Sequence, residues 1–143
     1  MNTEDLNSIL DMSFSMGCDF LESKDHFSPF AVTLQHDGTL QRSGELTAEE
    51  KDMNPEALID KIKATLASGC RQKLHKAIAL GTDVKVQRFK SEGYVRAIEV
   101  HIEHEDGYGF ECFLPYRKED NKLICGEIFS TSVPATSFEA SKS

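Results

Sequence analysis

The chain has 143 residues, of which 39% are hydrophobic and 28% are charged, and its formal net charge at pH 7 is −8. This composition is that of a globular domain with a hydrophobic core, and it argues against a disordered chain. Because a surplus of carboxylates repels polyanions, we expect neither nucleic acid nor an anionic membrane as a partner. No stretch approaches the ~18 consecutive apolar residues of a membrane span. No basic segment precedes an apolar one at the start, so we expect a cytoplasmic protein.

The cysteines predict reduced thiols and no metal-binding Cys-x-x-Cys pair. They are widely spaced, at Cys18, Cys70, Cys112 and Cys125. A nucleophilic thiol needs a neighbouring base or cation that stabilises the thiolate. Cys70, which precedes Arg71, is therefore the best candidate for a reactive thiol. The alternative is that all four side chains are small buried hydrophobic groups.

Residues 3–22 are predicted to form an amphipathic helix, with Thr3 at its start and acidic residues in its first turn. Met12, Met16 and Phe20 widen its apolar arc to about 200°, whereas an arc of about 100° suffices for a surface helix. One face of a sheet does not obviously cover so wide an arc. The arc predicts a second contact, with another helix, a second copy of the chain or a different protein; the alternative is plain core packing.

Two tripeptides that end in glycine, residues 36–38 and 105–107, each separate two alternating apolar runs and predict β-hairpins. Three-residue loops place the apolar residues of both strands on one face, whereas two-residue turns place apolar residues opposite polar ones. The pairs predicted by the longer loops are Leu34 with Leu40, Ile102 with Phe110, Val100 with Cys112, and Ile98 with Leu114.

The remaining elements follow in order. Residues 44–53 read as a polar linker, and Asn54 followed by Pro55 predicts the start of a second helix. The segment from Leu74 to Leu80 fits either a continued helix or a buried strand. From Asp83 onward the alternation is that of strands, with turns at residues 91–93 and 118–121 and a last strand at 123–129. Residues 131–143 are expected to form a frayed tail to a single domain at 1–130.

The predicted order is α-ββ-α-βββ(β), an α+β fold with an antiparallel sheet of five or six strands and two main helices, mainly on one face. This topology is similar to that of roadblock-type and profilin-like domains, and class I secretion chaperones also place an amphipathic helix before a sheet. The segments Phe27–Ala31 running into Asp37-Gly38, and Ala97–Val100 through Glu103-His104, resemble a group of small bacterial proteins of unknown function. That resemblance implies a bacterial single-domain protein and offers no catalytic residues to carry over to this chain.

One face of the predicted sheet carries a titratable cluster. Glu99, His101 and Glu103 alternate with apolar residues, and the predicted register places Glu111 opposite His101. The cluster suggests a weak zinc or proton-binding site, with His101, Glu103 and Glu111 as the metal candidates and a raised pKa for His101. His104 points to the other face and cannot share the ion. The alternative is the solvated face of a half-buried sheet.

Phe113 falls on the same face as this cluster, opposite Glu99. Three interpretations of Phe113 stay open: an exposed aromatic residue that marks a binding site, a further element that covers the face, or a bulge that changes the register.

These observations favour a non-enzymatic, cytoplasmic protein-binding or accessory module. Secretion-chaperone-like and toxin-neutralising roles are specific forms of that function. The chain has no Walker loop, no Gly-x-Gly-x-x-Gly motif and no Gly-x-Ser-x-Gly elbow, and no cofactor is expected. The partner is another protein or a second copy of the chain. The candidate protein-binding residues are Met12, Met16, Phe20 and Phe113. The alternative is a small-ligand-binding protein or metal-dependent enzyme that uses Cys70 or the face formed by Glu99, His101, Glu103 and Glu111.

Overall fold

The computed structural model describes residues 3–43, 46–87 and 93–139. The predicted turn at 91–93 lies outside these residues except for Gly93, as do the last four residues of the predicted tail. The described elements follow in chain order: α1 (Thr3–Ser23), β1 (Phe30–Leu34), β2 (Leu40–Arg42), α2 (Ala48–Lys51), α3 (Pro55–Arg71), β3 (Ala77–Val86), β4 (Val95–His104), β5 (Tyr108–Glu119), β6 (Lys122–Cys125), β7 (Phe129–Pro134) and α4 (Thr136–Glu139). The predicted helix-first α+β class is confirmed.

All strand pairs of the sheet are antiparallel, in the order β2-β1-β3-β4-β5-β6, and β7 also pairs with β5. β6 and β7 share the edge of β5 that faces away from β4. Pro115 lies between the two pairings; it has no N–H to donate, and its carbonyl accepts a bond from the Gly126 N–H at 2.8 Å. The single last strand predicted at 123–129 is therefore two strands, interrupted opposite this proline.

Both predicted hairpin loops have three residues, and the predicted registers are confirmed. The paired residues include Leu34 with Leu40, and Ile102 with Phe110. Gly38 and Gly107 close the loops with φ of 91° and 101°, a conformation that side chains with a Cβ disfavour. The pairing keeps the apolar residues of both strands on one face. This is why the requirement that they share a buried face predicted the correct loop length.

Helices cover both faces of the sheet, so the expectation that they lie mainly on one face is wrong. α1 packs on the face that carries Val32, Ala79 and Val100. α3 and α4 pack on the opposite face, against Ala31 and Ile78. The cause lies in β3, where all four residues from Ala77 to Leu80 are buried, because both faces of a central strand are covered. This strand begins at Ala77, which resolves the ambiguity at 74–80.

The expectation of a frayed tail from Thr131 is wrong for residues 131–139. β7 pairs with β5 along residues 129–134, and Ala135 and Phe138 are buried beneath α3. Three consecutive residues of β7, Ser130, Thr131 and Ser132, are small, polar and exposed, which is why the segment resembles a tail in the sequence.

The predicted linker at 44–53, of which residues 44 and 45 lie outside the described ranges, contains α2, which the sequence did not lead us to expect. Its signal is a capping box: the Thr47 hydroxyl accepts from the Glu50 N–H at 3.1 Å, and the Glu50 carboxylate accepts from the Thr47 N–H at 3.0 Å. The helix predicted to start after Asn54 is α3, and the Asn54 side chain caps it.

Candidate functional site

Two cavities flank the connection between α1 and β1, residues 24–29, which we call the connector. The aromatic pocket, of about 620 Å³, is lined by Met16, Phe20, Lys24, His26, Phe27, Ser28, Pro29, Phe30, Arg42, Ser43, Leu46 and Lys51. The acidic cleft, of about 420 Å³, is lined by His26, Phe27, Pro29, Pro55, Ile59, Lys63, Leu80, Thr82, Asp83, Val84, Glu99, His101 and Glu111.

The wall of the aromatic pocket is built from three phenylalanine rings. The Phe20 and Phe27 centroids lie 6.1 Å apart, and the Phe30 centroid lies 5.8 Å from that of Phe20 and 5.6 Å from that of Phe27. These separations are those of favourable aromatic pairs. Phe30 and Met16 are buried, whereas Phe20 and Phe27 are half-buried. The rings therefore join the core on one side and border the cavity on the other.

Contacts to the sheet hold the connector in place. Lys118 donates from Nζ to the Lys24 carbonyl at 3.0 Å, and His26 Nδ1 lies 3.3 Å from a carboxylate oxygen of Asp83. These bonds fix the backbone that carries the aromatic wall.

Two further elements place cations at the rim of the pocket. Ser43 exchanges bonds with Ala31, through its N–H at 2.8 Å and its hydroxyl at 3.1 Å, and so fixes the end of the hairpin next to Arg42. α2 carries Lys51 and is tied to α3 by an ion pair of 3.4 Å between Glu50 and Lys61. Neither Arg42 nor Lys51 forms an ion pair with another described residue.

Three members of the titratable cluster predicted from the sequence, Glu99, His101 and Glu111, line the acidic cleft, and the fourth, Glu103, bonds to His101 outside that lining. His101 Nε2 donates to Glu103 at 3.0 Å, and its Nδ1 lies 3.6 Å from Glu111. Thr82 donates its hydroxyl to Glu99 at 3.3 Å. The face is only partly solvated: Glu103 is buried beside α4, whereas the side chains of His101 and Glu111 stay 25% and 34% exposed.

Glu103 is a structural residue. It is 3% exposed, and its carboxylate also accepts bonds from the Ser137 N–H at 2.8 Å and the Ser137 hydroxyl at 3.1 Å. Burial alone would raise its pKa, but the bonds from His101 and Ser137 outweigh burial and lower it. Glu103 thus anchors α4 to β4.

The cleft shifts the pKa of two further groups. The hydrogen bond to Glu103, together with the charges of Glu103 and Glu111, raises the pKa of His101 above its ordinary value of 6.5 against the effect of burial. Burial raises the pKa of Glu99, and the charge of Glu111 adds to that rise. The cationic form of His101 is therefore favoured relative to a free imidazole, and the protonated form of Glu99 is favoured relative to a free carboxyl group.

The cleft does not form a metal site within the described chain. No group of three or more His, Cys, Asp or Glu side chains there is arranged to hold an ion. The metal candidates His101 and Glu103 bond to each other instead.

Cys70 is not the reactive thiol that its neighbour Arg71 suggested. It lies on the buried side of α3 and is 1% exposed, and burial raises its pKa to about 12, so that the thiol keeps its proton at neutral pH. The position of Arg71 in the sequence does not compensate for this burial.

The residues predicted to bind protein occupy three environments. Met12 is half-buried and packs against the hydrophobic core that α1 forms with the sheet. The sheet of the same chain therefore covers most of the wide apolar arc of α1. Met16 and Phe20 border the aromatic pocket. Phe113 stacks on Phe129, with centroids 4.9 Å apart and an interplanar angle of 15°. Phe129 is the cross-strand neighbour of Phe113 on β7 and leaves it half-buried, and the predicted register to Glu99 is retained, so the interpretation as a bulge is wrong.

Sequence reasoning missed the pocket because its parts are distant in the chain. Phe27, Phe30, Arg42 and Lys51 meet only after the connector, β2 and α2 have folded together. The local signals that pointed toward it are the capping box of α2 and the aromatic residues Phe27 and Phe30 next to β1.

No protein-family model, curated protein or solved structure matches this chain. None of the helices in the described residues combines the length and the hydropathy that a bilayer span requires.

Proposed function

We propose that this chain is a non-enzymatic binding module that receives an apolar segment of a partner protein in the aromatic pocket. The observation that carries the proposal is a cavity of about 620 Å³ bordered by the rings of Phe20, Phe27 and Phe30. Ligand cavities in proteins occupy about 300–1,000 Å³, and aromatic side chains dominate the energetics of protein interfaces.

The pocket is preorganised, which supports binding. Its wall is fixed by aromatic packing and by the connector bonds of Lys24 and His26. A site that is already ordered loses little conformational entropy when a ligand enters. An accessory role, such as that of a chaperone or a toxin-neutralising protein, needs this type of pocket and no catalytic group. The free cysteines favour the reducing cytoplasm as its compartment.

A peptide-display selection tests the proposal. The purified chain is used to select binders from a library of random peptides, and the binders are then measured against Leu46→Glu. Leu46 is a half-buried residue of the pocket lining, so this substitution places a charge in the apolar wall. Leu74→Glu is the matched control, because Leu74 is 54% exposed and lies outside the pocket.

We expect the selected peptides to carry apolar anchors. Their affinity should be at least tenfold weaker for Leu46→Glu than for the wild-type chain and unchanged for Leu74→Glu. Circular dichroism should show that both variants are folded. Equal binding by both variants would show that the pocket is not the docking site.

A second candidate function is the binding of a small ligand in the acidic cleft. It is favoured by the placement of His101 between Glu103 and Glu111 at a cavity border. A screen of small amines and guanidines by NMR tests it; shifts confined to His101 and Glu99 would support it, and unchanged spectra would contradict it.

A further inference from the structure

The aromatic pocket is bordered by positive charge, although the chain as a whole carries a formal charge of −8. Three cations line it from three different places: Lys24 in the connector directly after α1, Arg42 at the end of β2 and Lys51 at the end of α2. Within the described residues no carboxylate contributes to its lining.

These cations are available to a ligand. All three side chains are exposed, and none is paired with a carboxylate of the described residues. By contrast, Lys61 and Lys76 elsewhere on the surface pair with Glu50 and Asp5. Within the part of the chain that the structure describes, the rim of the pocket is thus a group of cations without paired carboxylates.

We infer that the partner segment is acidic: an apolar anchor fills the aromatic pocket, and carboxylates on both sides of that anchor meet Lys24, Arg42 and Lys51. This inference rests on the proposed function and adds the chemistry of the partner. Charge complementarity of this kind selects partners and speeds their association.

A protein segment matches the rim better than a single long-chain carboxylate does. The cations come from three elements around the opening, and a fatty acid offers one negative group at one end. A chain with several acidic side chains offers negative groups on both sides of its apolar anchor.

The experiment compares synthetic peptides that share one apolar core, taken from the selection above, and differ only in flanks of Glu, Gln or Lys. Binding is measured by fluorescence anisotropy at low and high salt, against the wild-type chain and the double variant Arg42→Gln/Lys51→Gln. The control is Lys85→Gln/Lys122→Gln, which removes the same charge from exposed lysines outside the pocket.

We expect the Glu-flanked peptide to bind most tightly and to weaken as salt rises, because exposed charges are screened within about 10 Å at 0.1 M. The rim double variant should lose roughly three- to tenfold in affinity for it, since exposed charge contacts contribute about 0.2–1 kcal/mol each. Affinity for the Gln-flanked peptide should stay unchanged, as should the affinity of the control variant for both peptides.

Equal, salt-independent binding of the Glu- and Gln-flanked peptides would overturn the inference while leaving the proposed function in place. Preference for the Lys flanks would overturn it as well. Tighter binding of laurate than of any peptide, lost in the rim variant, would assign the pocket to a lipid carboxylate instead. Absence of any pocket-dependent peptide binding would remove the proposed function and, with it, this inference.

Discussion

Gly81→Ala tests the packing that shapes the aromatic pocket. Gly81 on β3 pairs with Phe30 on β1, and the Phe30 ring lies directly over the glycine. A Cβ added at Gly81 would lie 2.6 Å from Phe30 Cε2 and nearer still to Cζ, whereas carbon atoms pack best at about 3.5–4.0 Å. The ring must therefore move, and it is held between the rings of Phe20 and Phe27.

The expected cost follows from two opposing effects. Overpacking a well-packed core costs about 1–3 kcal/mol. Replacement of a glycine reduces the entropy of the unfolded chain, which offsets about 0.5–1 kcal/mol. We expect a net loss of about 1–2 kcal/mol in the free energy of unfolding, or roughly 2–8 °C in Tm for a chain of this size. The displaced Phe30 ring should also weaken binding to the pocket.

Urea unfolding followed by circular dichroism measures the loss in the free energy of unfolding. A double-mutant cycle then tests whether that loss comes from contact with the Phe30 ring. In a Phe30→Leu background the clash is relieved, so Gly81→Ala should be neutral or stabilising. Gly93→Ala is the control, because nothing lies within 4 Å of a Cβ added at Gly93. Equal stability of Gly81→Ala and wild type, or the same effect with and without the Phe30 ring, would refute this account of the pocket wall.

Three further outcomes follow from the same contacts. His101 should titrate by NMR with a pKa above 6.5, and Glu103→Gln should lower that pKa. Because the folded-state value is raised, His101 contributes stability that is complete below about pH 6.5 and is lost as pH rises through the folded-state pKa; a titration at or below 6.5 would contradict this. Phe138→Ala should cost about 3–5 kcal/mol in urea unfolding, whereas a frayed tail would show no change. Exposed Cys125 should react with a thiol reagent in the native protein well before buried Cys70, and mass spectrometry of early time points would reveal the reverse order.

The local fold could be predicted where a short-range rule decides between few alternatives. A shift of register by one residue moves every side chain of a strand to the other face, so the apolar residues around Gly38 and Gly107 select one loop length. The start of α3 could also be predicted from neighbouring residues alone, since Asn54 caps the helix and Pro55 occupies its first turn.

The conformation of residues 74–80 and the burial of the C-terminal segment could not be predicted, because both depend on contacts between distant segments. The run from Ala77 to Leu80 is apolar on both sides, and only the presence of α1 on one face and α3 on the other makes it a strand. Phe138 is an isolated large apolar residue in a short segment, and its burial is accompanied by the bonds between Ser137 and the distant Glu103.

The candidate site was predictable only in part. Its cluster around His101 follows from strand alternation and register, which place Glu111 opposite that histidine. The aromatic pocket does not follow from any periodicity, because Arg42 and Lys51 belong to elements that meet the connector only in the folded chain.

The most direct test of the central claim is chemical-shift mapping of the ¹⁵N-labelled chain during titration with the selected Glu-flanked peptide. The account predicts that the largest shifts fall on the aromatic pocket, at Phe20, Phe30 and Arg42, while Glu99 and His101 in the acidic cleft stay unchanged. Shifts concentrated at Glu99 and His101, with the pocket residues unaffected, would contradict it and assign binding to the cleft.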